Sequence, residues 1–327
     1  MTTEYVVTTM SADVSDARMT LSLNISNVTD TSPEVVTGNG IDHHSATIVI
    51  LVIYFVTAGT ISLLGNMLVC VVIHRSKRLQ STTNYFVISL SITDIIYTVL
   101  IVPFQVTELV QNGWFISLAM CRIVRFLQYW LPGTVMFVLL CVCEDRYYTI
   151  LYPLSFKITR GRAKHMITAS WFASFIIACP ALYFFGLDTI NDIEYCASIV
   201  FSGETKVQGV FYITCYLSLT FAVSISIISI AYVKIFRYIW RTGIGGRTFQ
   251  RTTNPVPRPK VKMVKMIMAV NMVIVALATP FVMTQLWFYS MPGGSTVATH
   301  NVFLAVSAIY FVCSVAKPGE SSFGFEG

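Results

Sequence analysis

Long apolar stretches follow one another along the chain, separated by short polar segments. A spanning helix needs about 20 mostly apolar residues, and seven stretches meet that length or come near it: about 48–73, 83–110, 120–147, 166–187, 207–236, 263–289 and 300–316. The last is short. Connections of this length make neighbouring helices antiparallel and gather them into one bundle. The pattern predicts an all-α membrane protein, a seven-transmembrane helix bundle with no separate soluble domain. It divides the chain into a tail over 1–47, a helical domain over 48–316 and a short end over 317–327.

Charge orients the bundle. Of the 327 residues, 55% are hydrophobic and 12% charged. The segments after the first, third and fifth spans hold 17 of the 22 Lys and Arg, including Arg75, Arg146, Arg160, Lys164, Arg237, Lys260, Lys262 and Lys265. Acids collect on the other side: Glu4, Asp13, Asp16, Asp30, Glu34 and Asp42 in the tail, then Asp188, Asp192, Glu194 and Glu204 between the fourth and fifth spans. The positive-inside rule puts the N-terminus outside and the basic loops in the cytoplasm, facing anionic lipids of the bilayer. The net charge of +6 is then a topology signal, and nucleic acid is not an expected partner.

The tail is rich in Thr and Ser and lacks the charged-then-apolar layout of a cleavable signal peptide. Its sequons, Asn24-Ile-Ser26 and Asn27-Val-Thr29, make Asn24 and Asn27 candidate glycosylation sites on a disordered extracellular segment. Of eight cysteines, Cys70, Cys141, Cys143, Cys179, Cys215 and Cys313 fall inside spans. Only Cys121 and Cys196 face an oxidising compartment, so they are expected to form a bridge across the mouth of the bundle rather than stay as two free thiols.

Glu144-Asp145-Arg146-Tyr147 ends the third apolar stretch and runs into Tyr-Thr-Ile-Leu-Tyr-Pro-Leu through Leu154. An acid beside an arginine at a membrane helix end is costly and marks function more often than a lone snorkelling Arg does. The run resembles the end of the third helix in rhodopsin-like (class A) G-protein-coupled receptors. The resemblance extends over 64–318: Gly65-Asn66 in the first helix, Leu90 and Asp94 in the second, Trp114 before Cys121, Trp171 and Pro180 in the fourth, Tyr232 in the fifth and Pro280 in the sixth. Longer stretches such as "STTNYFV", "YTILYPLSFKITR" and "RYIWRTGIGGRT" are similar to one orphan member of that family.

The resemblance implies a population shift as mechanism: an extracellular ligand favours a bundle whose sixth helix swings outward, and a heterotrimeric G protein enters the cleft. Asp145 would hold Arg146 until activation, and Tyr147 and Tyr232 would complete the coupling site. Lys260, Lys262 and Lys265 stand where some relatives carry an acid that latches the Arg, which implies raised basal activity. Amine-binding relatives carry an Asp eighteen residues before that Arg. Here the position is Gln128, so an amine loses its counter-ion. Phe311 stands where opsins carry their Schiff-base Lys, so no retinal, and no other cofactor, is expected. Pocket candidates are Gln128, Tyr129, Phe281, Gln285, Trp287 and Tyr310 beneath the acidic rim, which favours a basic or neutral peptide; aromatics at helical spacing also serve as plain packing. The implied location is the plasma membrane, multi-pass.

Several positions depart from the family pattern. Ser224 replaces the usual fifth-helix Pro, Ala278 the bulky sixth-helix aromatic, and Ile274 a Phe below it. The chain ends "AKPGESSFGFEG", so Ser321 stands at the usual inner Tyr and no amphipathic helix follows. The seventh helix therefore reads as truncated, through an alternative transcript, a gene-model error or a nonfunctional copy, and a non-signalling receptor-like isoform or decoy is the main alternative function. Lys317 precedes the seventh-helix Pro318 where relatives carry Asn, and Val135 replaces a hydroxyl residue. Asn66, Asp94 and Lys317 are thus candidates for a buried polar site in which Lys317 supplies the charge that sodium supplies in relatives; alternatively, the helix unravels after Ala316 and Lys317 reaches the interface. A transporter would show internal repeats and charged midplane pairs; no half-length repeat appears, and Asp94 is the one clearly intramembrane acid. An enzyme is not expected, because His43, His44, His74, His165 and His300 do not group with Cys or acids at metal-ligand spacing.

Overall fold

The structure is a computed structural model that describes residues 39–76, 82–152, 158–190, 192–198 and 206–244, with isolated helical positions between 268 and 284. The chain divides into two compact units, Met1–His43 and His44–Gly327; all side chains considered below belong to the second. Asn24, Asn27, most of the expected tail, both later spans as continuous elements, Ile274, Ala278, Phe281, Gln285, Trp287, Tyr310, Lys317 and Ser321 lie outside the described residues.

Among the described residues the chain forms eight α-helices, one π-helical turn and one hairpin, besides the isolated helical positions: α1 Asn39–Arg75, α2 Thr82–Leu100, α3 Val102–Gln111, α4 Leu118–Leu151, α5 Arg160–Ala178, α6 Ala181–Phe184, β1 Phe185–Ile190, β2 Ile193–Ser198, α7 Lys206–Leu217 and α8 Val223–Ile244. Among the described residues, five helical segments are long and apolar enough to cross a membrane: Ala46–Arg75, Thr82–Gln111, Leu118–Leu151, Arg160–Phe184 and Val207–Trp240. They match the first five expected spans. The fourth differs most: it starts at Arg160, and its last expected residues, Phe185–Leu187, are strand. The start has a local cause, because the Thr159 side chain accepts a hydrogen bond from Arg162 N at 3.3 Å and satisfies one of the helix's open donors. The other end is tertiary, as residues 185–190 and 193–198 pair as an antiparallel hairpin with Leu187 opposite Cys196. The reading as wholly α-helical misses this hairpin.

The third span, α4, is the central element. It packs on α2, α5, α6, α8 and β1, and its buried face runs from Cys121 to Ile150. The largest core lies between its lower half and the fifth span, where Val135, Met136, Leu139 and Cys143 meet Tyr212, Tyr216, Phe221, Ile228 and Tyr232. A second core joins Phe55 and Ala58 of α1 to Tyr97, Ile101 and Leu131. Outward faces stay apolar and exposed, with Ile50, Leu64, Phe172, Ile176, Val207 and Phe211 among them. That is the arrangement expected where lipid replaces water as solvent.

Pro132 interrupts α4 near its middle. Its ring supplies no N–H and crowds the carbonyl four residues back, and hydroxyls from two neighbouring spans occupy the adjacent carbonyls. Ser174 Oγ donates to Trp130 O at 2.7 Å, and Tyr216 OH to Tyr129 O at 2.7 Å. Gly133 makes the approach possible, since a Cβ there would stand 2.5 Å from Ser174 Oγ. Opposite, the fifth span widens into a π-helical turn over Ser218–Ala222, although Ser224 stands where relatives carry Pro.

Candidate functional site

Polar side chains collect at three levels of the bundle. At the lower end of α4, Arg146 Nη2 lies 2.9 Å from Asp145 Oδ2, with both residues buried. Thr83 Oγ1, from the start of α2, donates to the same Asp145 oxygen at 3.2 Å. Glu144 is exposed. Tyr147 is half-buried and sits beside Tyr148 and Tyr152 at ring distances of 5.6 and 6.1 Å. It packs against the core that buries Tyr232. The four expected coupling residues are thus gathered at one end of the bundle, around a pair whose acid also accepts a hydrogen bond from a neighbouring span.

In the middle, Asn66 and Asp94 are buried at 1% and 2% exposure. Asn66 Nδ2 donates to Ser62 O at 2.9 Å, and Thr98 Oγ1, which donates to Asp94 O at 2.8 Å, lies 3.3 Å from Ser62 Oγ. Ser62 and Thr98 therefore bridge the first and second spans beside both predicted residues.

The upper end holds the bridge and the hairpin. Cys121 and Cys196 form the expected disulfide, with Cα atoms 5.6 Å apart. The hairpin is further attached by Trp114 N–H to Glu194 O at 2.7 Å and by Arg122 Nε to Phe185 O at 3.3 Å. Gly113 lets it settle, because a Cβ there would stand 2.7 Å from Ile193 Cγ2. Asp192 and Glu194 are exposed at the turn, and Asp188 is half-buried. Gln128 and Tyr129 are half-buried below. Tyr129 packs on Tyr216 at 4.8 Å and Phe185 at 5.4 Å, so half of it at least is packing.

One feature here corrects the sequence-based expectation that Asp94 is the one intramembrane acid. Glu108 is 3% exposed near the end of the second span, and its Oε1 lies 2.9 Å from Nη2 of Arg125, itself 4% exposed. Arg125 also donates to Gln128 Oε1 at 2.9 Å and to Cys196 O at 2.6 and 3.2 Å. A sequence signal existed. Arg125 lies well inside an apolar run and has no acid three or four residues away, so it needed a partner from elsewhere.

Residues 65–318 match the family described as 7 transmembrane receptor (rhodopsin family). Over 267 residues, 81% of this chain, it is 40% identical to Probable G-protein coupled receptor 19 of Rattus norvegicus and of Mus musculus, and 39% identical to that of Homo sapiens. The aligned part covers 62% of each relative's length. This kinship points to a receptor rather than an enzyme, and with its apolar helices it indicates a membrane protein. With the motif, the disulfide and the packing around α4 in agreement, the chain belongs to the rhodopsin family of seven-transmembrane receptors.

Proposed function

We propose that this chain is a plasma-membrane receptor that passes the signal of an extracellular peptide to a heterotrimeric G protein. The observation that carries the reading is the buried Asp145–Arg146 pair, gripped by Thr83 at one end of α4. When the contact between this guanidinium and the carboxylate opens, the guanidinium presents several hydrogen-bond donors to a partner. Tyr147 and Tyr232 flank the same end. The N-terminus lies outside by the distribution of basic residues, with Asn24 and Asn27 glycosylated. The ligand enters at the hairpin end, where Asp188, Asp192 and Glu194 attract a basic or neutral peptide. Gln128 and Tyr129 then meet it from α4, together with Phe281, Gln285, Trp287 and Tyr310.

The test is a G-protein dissociation assay in cells that display the chain, run without ligand and against a peptide library. A response that Arg146→Ala abolishes, with surface level unchanged, is the expected result. Silence from surface-displayed protein across all G-protein classes sinks the proposal in favour of a non-signalling receptor-like isoform or decoy. Asp94 with Lys317 forms, in the same proposal, an internal ion pair that stands in for a bound sodium ion. Signalling is then insensitive to sodium, and strong sodium dependence refutes the pair.

A further inference from the structure

Residue 196 is attached to α4 twice. Its sulfur is bonded to Cys121, and its main-chain carbonyl accepts from Arg125 Nη2 at 2.6 Å and Nε at 3.2 Å. Cys121 and Arg125 are four residues apart and share one face of the helix. A disulfide alone is a tether with several rotatable bonds, which limits distance and leaves the hairpin free to turn. A second attachment to the main chain of the same residue restricts that freedom, beside the contacts from Trp114 and Arg122. Arg122, the other arginine on the hairpin, is only half-buried. Arg125 is buried and reaches a second span through Glu108. The carboxylate neutralises the guanidinium in a setting where an unpaired charge would be costly.

Gln128 is the third partner. Arginine has donors only, so its contact with Gln128 Oε1 fixes which way the amide points. The whole donor capacity of Gln128, its Nε2, stays open to another partner, beside one remaining lone pair on Oε1.

We propose that Arg125 is a positioning residue: it sets the orientation of the β1–β2 hairpin over the third span and turns Gln128 so that this position meets a ligand's hydrogen-bond acceptor, a carbonyl or carboxylate. The ligand clause rests on the hairpin end being the ligand side; the hairpin clause does not. An ordinary ion pair would survive exchange of its two members. This one does not, because a Glu at 125 would face the Cys196 carbonyl oxygen, and a carbonyl can only accept.

The test uses the full chain in detergent, with the disulfide verified by non-reducing peptide mapping. Backbone hydrogen exchange is read over 185–198, and the rate of Cys121–Cys196 reduction by dithiothreitol is measured beside it. Arg125→Met should speed both by about tenfold or more, the size of losing hydrogen bonds from a charged donor, while amides around Val142 keep their rate. Arg125→Lys should recover part of the protection, since one ammonium donor reaches the carbonyl. The exchanged pair Glu108→Arg with Arg125→Glu should remain as fast as Arg125→Met. Wild-type protection in Arg125→Met, or recovery in the exchanged pair, overturns the proposal. Should Arg125→Met not be recovered folded, Glu108→Gln with Arg125→Gln takes its place, burying no charge and weakening the tie; an unchanged hairpin there also overturns it. None of these readouts involves signalling, so a silent receptor leaves the result standing, and a failed result leaves the receptor proposal standing.

Discussion

Helix α4 carries two buried arginine–carboxylate pairs, one at each end, and both close at 2.9 Å. At the lower end the partners are consecutive residues, and Thr83 of the second span donates to the acid. At the upper end they are 17 residues apart in sequence, on different spans, and the arginine also grips Gln128 and the main chain of the hairpin. Equal distance does not mean equal role. A pair between consecutive residues of one helix does not itself join two elements, so its opening need not part them. A pair between spans that also holds a loop cannot open without loosening the architecture. The first suits a switch and the second a fixture.

The difference is most sharply broken at the upper end. Arg125→Met leaves Glu108 buried without its partner, and removing one member of a buried pair costs about 3–5 kcal/mol. Thermal unfolding in detergent should show a far larger drop than for Arg146→Ala, and equal drops would mean that both pairs are structural. A smaller loss is expected at Gly133, midway between the pairs. Gly133→Ala forces Ser174 Oγ away from a Cβ that would stand 2.5 Å off and weakens its bond to Trp130 O. Overpacking of this kind costs about 1–3 kcal/mol. Ser174→Ala should relieve part of it, and strictly additive effects in that double-mutant cycle would show that the two do not collide. The smallest change is Thr83→Val, which removes one donor from Asp145 and is worth about 1 kcal/mol. Its expected effect is on the switch: basal G-protein activation rises several-fold while the unfolding temperature hardly moves. Unchanged basal activity with lowered stability would place Thr83 among the structural contacts instead.

What the chain alone determined is the part governed by local composition and short spacing. Five spans were legible because lipid demands an apolar run of fixed length, whatever the rest of the chain does. Asp145-Arg146 was legible because the partners are adjacent, and Cys121–Cys196 because topology left those two cysteines on one side. The tertiary structure decided the rest. Glu108 and Arg125 find each other only when the second and third spans pack. Residues 185–190 pair with 193–198 as a hairpin that the bridge, Trp114 and Arg125 attach to the bundle, so a stretch assigned partly to a helix ends as strand. The π-helical turn at Ser218–Ala222 forms without a proline, and Gly133 shows its purpose only where Ser174 from another span presses against it. In each case the deciding contact lies between residues remote in sequence, and periodicity along one helix carries no information about which neighbour will fill the space beside it.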